Sequence, residues 1–236
     1  TIEFNLRYSQ TKLTRIELES IMEILPALLP DLIAAIDDVI NANADEVTAL
    51  DQAIGDGDHV TNLQRGILAL KEHQEELVQL DWSGAWQKIG MILMSSVGGA
   101  SGSLYGTFFL AMSKTPREQQ LNLKVFSEVF VEGVESIKKR GKADVGEKTM
   151  LDVLVPVAEY IKQAAAEAAS VSVVLEKIPG IAVAGMESTR DMLATKGRAS
   201  FLGDRTKGHI DAGAKTAQLM ICAVVDVINK NLASPS

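Results

Sequence analysis

An apolar repeat with the period of an α-helix runs through most of this chain and restricts it to helical folds. Its apolar residues are spaced three and four apart, as one face of a helix requires. One stripe consists of Trp82, Trp86, Ile89, Leu93 and Val97. Another consists of Val60, Leu63, Ile67 and Leu70. The second stripe follows Asp58, which we expect to cap its helix. Alternating patterns with hairpin turns, which would indicate strands, are missing. The sequence predicts an all-α fold.

Further helices are expected on both sides of these stripes. The same spacing recurs over residues 150–161, and helical patterns cover 11–25, 27–43, 171–195 and 213–232. Pro26 and Pro30 mark a break and a restart, because proline ends a helix but fits its first turn. Helices of about 15 to 25 residues with short joints favour an antiparallel up-and-down bundle or barrel. Since no repeat or low-complexity linker divides the chain, we expect one domain over residues 1–236.

Charge and cysteine content restrict the ligands that the chain can bind. The net charge is −8, and a surface of that sign repels nucleic acid. An acidic protein that binds phosphates needs metal ions to bridge the like charges. The single cysteine, Cys222, excludes an intrachain disulfide and a cysteine-held zinc site. The sequence has neither an apolar signal segment nor an uncharged stretch of membrane-spanning length, so we expect a cytoplasmic protein.

Three aspartates fall within eight residues of one another: Asp51, Asp56 and Asp58. No basic residue between them neutralises their charge, and carboxylate oxygens of this kind suit Mg²⁺. An EF-hand is excluded, because the twelfth position from Asp51 or Asp56 is Asn62 or Ile67 rather than glutamate. A solvated acidic turn remains an alternative. So does the DxDx[VT] motif of haloacid-dehalogenase-type phosphatases, although no buried strand precedes it here.

Two glycine-containing segments have the character of phosphate-binding turns. Residues 96–103 end one apolar helix and open another over residues 104–112, and small residues there leave backbone N–H groups free near the positive end of the helix dipole. A close helix–helix turn is the alternative. Residues 141–149 nearly spell a Walker A loop, but Glu147 adds one residue before Lys148 and a helical segment precedes them. A P-loop is not expected, although this turn could contact a nucleotide, with Met150 against the base.

The last candidate segment covers residues 197–213, GRASFLGDRTKGHIDAG. A connection of this length is typical of a lid or a binding loop. Arginines such as Arg198 suit forked contacts with phosphate. An exposed basic loop is the alternative, and His209 taken alone is more typical of a structural role.

Taken together, the four segments resemble the L subunit of dihydroxyacetone kinase and the homologous nucleotide domain of the ATP-dependent enzymes. The match rests on LDQAIGDGDHVTN, SSVGGASGSLYGTFF, RGKADVGEKTMLD and GRASFLGDRTKGHIDAGA, in the family's order. The N-terminal residues 1–15 lie outside it as an unassigned extension. The resemblance implies an antiparallel eight-helix barrel with the nucleotide at one rim.

The resemblance also implies roles for individual residues. Asp51, Asp56 and Asp58 would hold two Mg²⁺ ions, which in turn hold the phosphates of ADP or ATP. The implied nucleotide contacts are His59, Val60, Thr61, Asn62, Ala100, Ser101, Gly141, Met150, Arg198, Asp211, Ala212 and Gly213. Arg198 is the candidate catalytic residue, since a mobile segment that carries it could close on the phosphates.

Partners follow from the same resemblance. In the family, a histidine of a separate K subunit or domain holds the acceptor sugar covalently, so we expect that subunit as a partner. In phosphotransferase-system members the nucleotide stays bound as ADP and a phosphohistidine protein recharges it, whereas in other members ATP exchanges. The first arrangement fits a stand-alone L subunit better. A nucleotide-loaded regulatory module that binds a transcription factor is an alternative. The sequence leaves open the identity of the sugar and whether the chain forms a homodimer.

Overall fold

A computed structural model of the chain describes residues 26–114 and 121–233. These ranges contain ten α-helices: α1 (Leu29–Ala42), α2 (Ala44–Ile54), α3 (His59–Glu72), α4 (Gln74–Leu77), α5 (Trp82–Ser96), α6 (Gly99–Met112), α7 (Leu123–Gly141), α8 (Leu151–Ala166), α9 (Val171–Ser188) and α10 (Ala212–Ala233). They also contain the 3₁₀ segments Pro26–Leu28, Thr189–Asp191 and Arg198–Thr206, and no strand. The helix predicted over residues 11–25 and the extension of residues 1–15 lie outside the described residues.

Eight of the described helices form a closed ring. In ring order they are α1, α3, α5, α6, α7, α8, α9 and α10. Each packs on the next, and α10 packs back on α1. The shorter helix α2 lies in the connection from α1 to α3 and packs on α3 and α10. Consecutive helices with short connections run antiparallel. The predicted all-α up-and-down barrel is confirmed.

The apolar stripes predicted from the sequence form the core of the ring. Trp86, Ile89 and Leu93 of α5 are buried, as are Val60 and Ile67 of α3. Burying a side chain of this size contributes about 1.5–3 kcal/mol relative to leaving it exposed, so such stripes supply most of the driving force for closing the ring. None of the helices in the described ranges is both long and apolar enough to cross a membrane.

Two glycines allow α5 and α6 to pack closely. A Cβ on Gly90 would lie 2.9 Å from the carbonyl oxygen of Gly106, and a Cβ on Gly106 would lie 3.0 Å from the carbonyl oxygen of Gly90. Both clashes would be with backbone, which cannot rotate away as a side chain can. The pair therefore fixes how closely these helices approach, and with it the position of the turn that joins them.

Two helix boundaries differ from the sequence prediction. The helix α6 begins at Gly99, whereas the sequence placed its start at Leu104, so the small residues form its first turn. The helix α9 ends at Ser188 rather than continuing to residue 195, because the 3₁₀ segment Thr189–Asp191 follows it directly. The predicted helices over 27–43 and 213–232 correspond to α1 and α10.

The ring has two ends, and alternate connections meet at the same end. Because neighbouring helices run antiparallel, the connections at residues 55–58, 97–98, 142–150 and 189–211 all lie at one end, which we call the site rim. The connections at 73–81 and 167–170 lie at the opposite rim. The four segments singled out in the sequence are therefore the four connections of the site rim.

Candidate functional site

Positive backbone φ angles are concentrated at the site rim. Of the nine described residues with positive φ, eight lie in its connections or at their edges. Six are glycines, which adopt such angles at little cost: Gly57, Gly99, Gly146, Gly197, Gly203 and Gly208. The other two are Lys142 and Lys148, for which a left-handed conformation costs free energy. Such conformations cluster at ligand-binding turns, which directs attention to this end of the ring.

The turn between α2 and α3 brings the three predicted metal-binding aspartates together. One carboxylate oxygen from each of Asp51, Asp56 and Asp58 lies within 4.8 Å of the other two. Glycines make this turn possible: a Cβ on Gly55 would lie 2.8 Å from the backbone oxygen of Asp51, and Gly57 has φ of +77°. Mg²⁺ binds carboxylate oxygens of this kind, so the residues present fit that ion.

The capping role predicted for Asp58 belongs to Asp51. Asp58 does precede α3, but its side chain accepts no hydrogen bond from the first turn of the helix. The backbone N–H of His59 instead donates to Oδ2 of Asp51, at 3.1 Å. The prediction for Asp58 was wrong because the cap comes from the preceding helix rather than from the adjacent residue.

Arg198 lies across the acidic turn. Its Nε forms an ion pair with Oδ2 of Asp56, at 2.8 Å, while 73% of the Arg198 side chain stays exposed. The connection that carries it is also more ordered than the sequence suggested. Residues Arg198–Thr206 form a 3₁₀ segment with a kink at Gly203, so the predicted loop 197–213 is largely helical. We call Arg198–Thr206 the rim segment.

The first turn of α6 forms the second wall of the site. Gly98 has extended φ and ψ and its neighbour Gly99 has φ of +65°, so the chain turns sharply into the helix. The N–H groups of a first turn have no partner within the helix and suit an anion. Asn62 of α3 packs against this turn, since a Cβ on Gly98 would lie 2.5 Å from Oδ1 of Asn62. Ala100 and Ser101 thus lie where the phosphate cradle was predicted.

His59 joins three helices of the ring. Its Nε2 lies 2.9 Å from Oγ1 of Thr216 on α10, and its Nδ1 lies 3.4 Å from Oγ of Ser101 on α6. The hydroxyl of Thr216 has one proton and is 3.1 Å from the carbonyl oxygens of Ala212 and Gly213, to which it donates. This arrangement favours a proton on Nε2 of His59 and leaves Nδ1 to accept from Ser101. Burial lowers the pKa of His59, although the nearby aspartates oppose the shift.

Lys148 takes a different role from the lysine of a Walker A loop. Its side chain is fully buried, and its Nζ donates to the carbonyl oxygens of Thr189 and His209, with a longer contact of 3.4 Å to that of Arg190. A buried ammonium needs such partners to offset its desolvation. Lys148 therefore joins the 142–150 turn to the 189–211 connection from inside the protein. Sequence reasoning missed this role, because the motif suggested only a turn that could contact a nucleotide.

Asp152 supports the same turn. It is almost completely buried in the first turn of α8, and its two oxygens accept from the backbone N–H groups of Gly146, at 2.6 Å, and Thr149, at 2.8 Å. The sequence did contain a signal for this role, because Asp152 is a charged residue in the otherwise apolar start of a helix. Together with Lys148, it makes the 142–150 turn a rigid part of the site.

Asp211 begins α10 at the edge of the site. Its Oδ2 accepts from the N–H of Ala214, at 2.8 Å, and its own N–H donates to Oγ1 of Thr189, at 3.1 Å. Burial raises the pKa of Asp211 to about 6. Gly213 lies beside Met150, since a Cβ on Gly213 would be 3.7 Å from the backbone N of Met150.

The remaining predicted contact residues differ in exposure. The side chains of Val60, Met150 and Ala212 are buried, whereas Thr61 is exposed. Val60 packs in the core, so a ligand at the rim could reach it only through its backbone. Gly141 is the last residue of α7, where a Cβ would meet Leu104 of α6 at 3.5 Å. Their roles as nucleotide contacts stay predictions.

The structure is a helical barrel whose one rim carries a three-carboxylate turn, a helix start and an arginine, groups that suit metal ions and phosphates. Comparison with known proteins narrows that class. The chain belongs to the DAK2 domain family, which matches residues 53–226.

Several curated proteins are similar over most of the chain. The ADP-binding subunit DhaL of the PEP-dependent dihydroxyacetone kinase of Escherichia coli (strain K12) is 42% identical over 185 residues, which are 78% of this chain and 88% of that protein. The ADP-binding subunit DhaL of the PTS-dependent enzyme of Lactococcus lactis is 40% identical over 189 residues, or 80% of this chain and 91% of that protein. Human triokinase/FMN cyclase is 32% identical over 185 residues, but these are only 32% of that protein.

Solved structures share the fold. The native dihydroxyacetone kinase of C. freundii superposes with a TM-score of 0.66 at 24% identity, over 86% of this chain and 35% of that chain. The same kinase in complex with AMP-PNP and Mg²⁺ gives a TM-score of 0.64 at 21% identity, over 96% of this chain and 38% of that chain. This chain thus spans little more than a third of those kinases, and at these identities the likeness concerns the fold.

Proposed function

We propose that this chain is the nucleotide-binding subunit of a dihydroxyacetone kinase. It would transfer a phosphoryl group from Mg²⁺-bound nucleotide to a triose held on a separate subunit. One observation carries the proposal: the three-aspartate turn contacts Arg198, and His59 beside it contacts Ser101 in the first turn of α6. Membership of the DAK2 family and similarity to ADP-binding subunits over nearly their whole length support it.

The aspartates would hold the metal. Asp51, Asp56 and Asp58 each offer a carboxylate, and bound Mg²⁺ would neutralise charge on the phosphates. Two ions are expected from the family resemblance. Three carboxylates can supply ligands to two ions, because Mg²⁺ uses only one or two carboxylates and completes its shell with phosphate and water. The dihydroxyacetone kinase of C. freundii, solved with AMP-PNP and Mg²⁺, is consistent with a metal-bound nucleotide on this fold.

The chain's own residues would position the phosphates. Backbone N–H groups of Ala100 and Ser101 would donate to phosphate oxygens at the start of α6, and the hydroxyl of Ser101, which donates to Nδ1 of His59, would hold that turn in position. Arg198 would exchange its single contact with Asp56 for forked contacts to the phosphates, where negative charge is greater. Little covalent chemistry is then required of this protein.

The remaining predicted residues would surround the rest of the nucleotide. They are Val60, Thr61, Asn62, Gly141, Met150, Asp211, Ala212 and Gly213. The turn that carries Met150 and the connection that carries Asp211 are joined through Lys148, so both would keep their positions when the nucleotide leaves. A rigid site of this kind favours slow release of ligand.

We further propose that the chain retains ADP and regenerates ATP in place. A phosphohistidine protein would lose its N–P bond, and the β-phosphate of ADP would gain the phosphoryl group. The acceptor hydroxyl would then attack the γ-phosphate, release its proton and leave ADP behind. Relatives at 40–42% identity are subunits of PEP- or PTS-dependent kinases, which supports this mode over exchange of ATP. The cytoplasmic location expected from the sequence and a homodimer stay predictions.

The test begins with the ligand. The protein is purified and dialysed against Mg²⁺-containing buffer, and nucleotide released on denaturation is analysed by mass spectrometry. Transfer is then measured with dihydroxyacetone and a K subunit, using either the phosphohistidine donor system or ATP. We expect retained ADP and turnover with the donor system. Failure of the wild-type protein to bind nucleotide, or to support transfer from either donor, would contradict the proposed kinase function.

The two donors separate the kinase proposal from the retention proposal. If dialysis empties the site and ATP alone sustains repeated turnover, the chain is an ATP-exchanging kinase subunit and retention of ADP is wrong. Asp58→Asn serves as the control for metal-dependent binding, since it removes one predicted ligand and no helix cap.

A further inference from the structure

The site rim carries exposed apolar side chains that the nucleotide site does not use. Phe201, in the rim segment, is 87% exposed and is the most exposed of the described large apolar residues. Two others lie at the same rim. Val145 is in the 142–150 turn, and Leu193 precedes the rim segment in the 189–211 connection. Leaving a phenylalanine this exposed forfeits the stabilisation that its burial would give, and exposed aromatic residues are enriched where partners bind.

The backbone on either side of Phe201 is tied to the rest of the rim. Thr195 donates from its hydroxyl to Oε1 of Glu147, at 2.9 Å, which ties the stretch after Leu193 to the turn of Val145. The N–H of Ala194 donates to Oγ1 of Thr206, at 3.1 Å, which ties that stretch to the end of the rim segment. The two ends of the rim segment are therefore fixed to the rim, and Phe201 lies between them.

Of the four cations in residues 196–207, three are paired with a carboxylate and one is not. Arg198 pairs with Asp56, Lys196 with Glu147 at 3.2 Å, and Lys207 with Asp204 at 2.7 Å. Arg205 forms no ion pair among the described residues; its Nε makes only a long contact of 3.4 Å to the carbonyl oxygen of Leu202. A partner that covers Phe201 would therefore gain from a carboxylate placed opposite Arg205.

We propose that Phe201 and Arg205 anchor the subunit that brings the acceptor triose. The anchor would fit a partner surface with an apolar pocket for the ring and an acidic residue beside it. This inference rests on the proposed kinase function, which requires a second protein to bring a hydroxyl to the phosphates. Phe201 lies three residues after Arg198 in the same segment, so a partner seated on it would face the phosphoryl group.

Docking would also act on Arg198. The rim segment is flanked or kinked by glycines with positive φ, Gly197 at +61° and Gly203 at +58°, both with open space around them. Seating Phe201 in a partner would restrict movement of the segment between these points. Arg198 would then be positioned when the acceptor arrives, which limits transfer to water.

The experiment compares Phe201→Ala and Arg205→Ala with a matched control. Val173→Ala truncates another exposed apolar side chain, 42% exposed, in the first turn of α9 near the opposite rim. Each variant is titrated calorimetrically with a dihydroxyacetone-loaded K subunit, and bound ADP is quantified separately. We expect Phe201→Ala to raise the dissociation constant about 30-fold or more, as for an interface hot spot, and Arg205→Ala to raise it about 5- to 10-fold with weaker salt dependence. Bound ADP should be unchanged in all three.

Three outcomes overturn the inference in different ways. A dissociation constant for Phe201→Ala within threefold of that for Val173→Ala, with wild-type protein that binds and transfers normally, would show that docking occurs elsewhere. Wild-type protein that retains ADP but never binds the K subunit would contradict the proposed function and the anchor together. Loss of bound ADP in Phe201→Ala would also contradict the anchor, because it would assign the ring to nucleotide binding.

Discussion

Replacing Lys148 with methionine removes the buried cation that joins two connections of the site rim. The substitution keeps most of the side-chain volume and tolerates the same positive φ of +61° about as well as lysine. It deletes the donors to the carbonyl oxygens of Thr189 and His209. It also leaves the neighbouring carboxylates of Asp211, Asp191 and Asp152 without their cation. Burial lowers the pKa of Lys148, and these three carboxylates oppose that shift.

The expected loss of stability can be worked from these contacts. The carbonyl of His209 is left without a donor, which costs about 1–3 kcal/mol. The carbonyl of Thr189 keeps the N–H of Met192 at 3.3 Å and loses one hydrogen bond from a charged group, which costs about 1.5–3 kcal/mol, so the two losses together give about 2.5–6 kcal/mol. Loss of one partner from a buried charge interaction costs about 3–5 kcal/mol in general, within the same range. The desolvation cost that lysine no longer incurs lowers the sum, so about 3 kcal/mol is expected. For a domain of this size that corresponds to a melting temperature lower by about 6–12 °C.

Thermal unfolding followed by circular dichroism, with ADP binding measured well below the transition, provides the assay. Lys139→Met is the matched control, because Lys139 is exposed on α7 and the same substitution there should change stability by less than about 0.5 kcal/mol. We also expect Lys148→Met to bind ADP more weakly while it is still folded. A melting temperature within 2 °C of the wild type would refute the reasoning about buried hydrogen bonds. Unchanged ADP affinity would refute the positioning role.

Three further predictions concern charges at the rim. Asp58→Asn should abolish Mg²⁺-dependent nucleotide binding. It should leave metal-free stability equal or about 1 kcal/mol higher, because it relieves repulsion among three carboxylates within 4.8 Å of one another. Isothermal titration and melting without Mg²⁺ check both effects, and Mg²⁺ dependence that persists would contradict the metal assignment. Arg198→Ala should lower the rate of phosphoryl transfer at least about 100-fold. It should reduce the free energy of unfolding by no more than about 1 kcal/mol, because the ion pair of Arg198 with Asp56 is exposed. Equal losses of activity and stability would make Arg198 a structural anchor. Burial raises the pKa of Asp211 to about 6 from 3.8, so the folded state binds more protons than the unfolded state between those values and stability falls as pH rises through them. Asp211→Asn should therefore be more stable than wild type at pH 8, by up to about 3 kcal/mol in the free energy of unfolding, and the difference should vanish below about pH 4. Denaturant unfolding at both pH values checks this, and no gain at pH 8 would contradict the assignment.

Pattern and chemistry were sufficient to predict the fold class and the three aspartates that the structure brings together. The three-and-four spacing predicted α3, α5, α8 and α10, because a buried helical face must repeat with the period of the helix. The acidic, small-residue and arginine-bearing segments stood out because each concentrates groups that bind metal or phosphate within a few residues. Such signals are local, and they hold wherever the segment ends up.

Boundaries were less accurate where a distant group decides them. The cap of α3 comes from Asp51 rather than Asp58, and α9 gives way to a 3₁₀ segment at Thr189, whose hydroxyl bonds to residues on both sides. The connection of residues 197–213 is largely helical, since its N–H groups find partners within the segment. None of these choices follows from propensity, because a single hydrogen bond, worth about 0.5–1.5 kcal/mol, outweighs most differences in propensity between residues.

The sequence by itself determined which segments concentrate groups that suit phosphate and metal, and the tertiary structure alone decided how these segments meet. Closure of the ring places alternate connections at one rim, which brings His59 against Thr216, 157 residues away. The same closure buries Lys148 and turns a lysine from a nearly complete Walker motif into an internal cross-link. It also leaves Phe201 outside, although an apolar residue in a helical segment is normally expected in the core. Periodicity reports which face of a helix is apolar, but burial depends on what packs against that face, and only the closed ring supplies the neighbours.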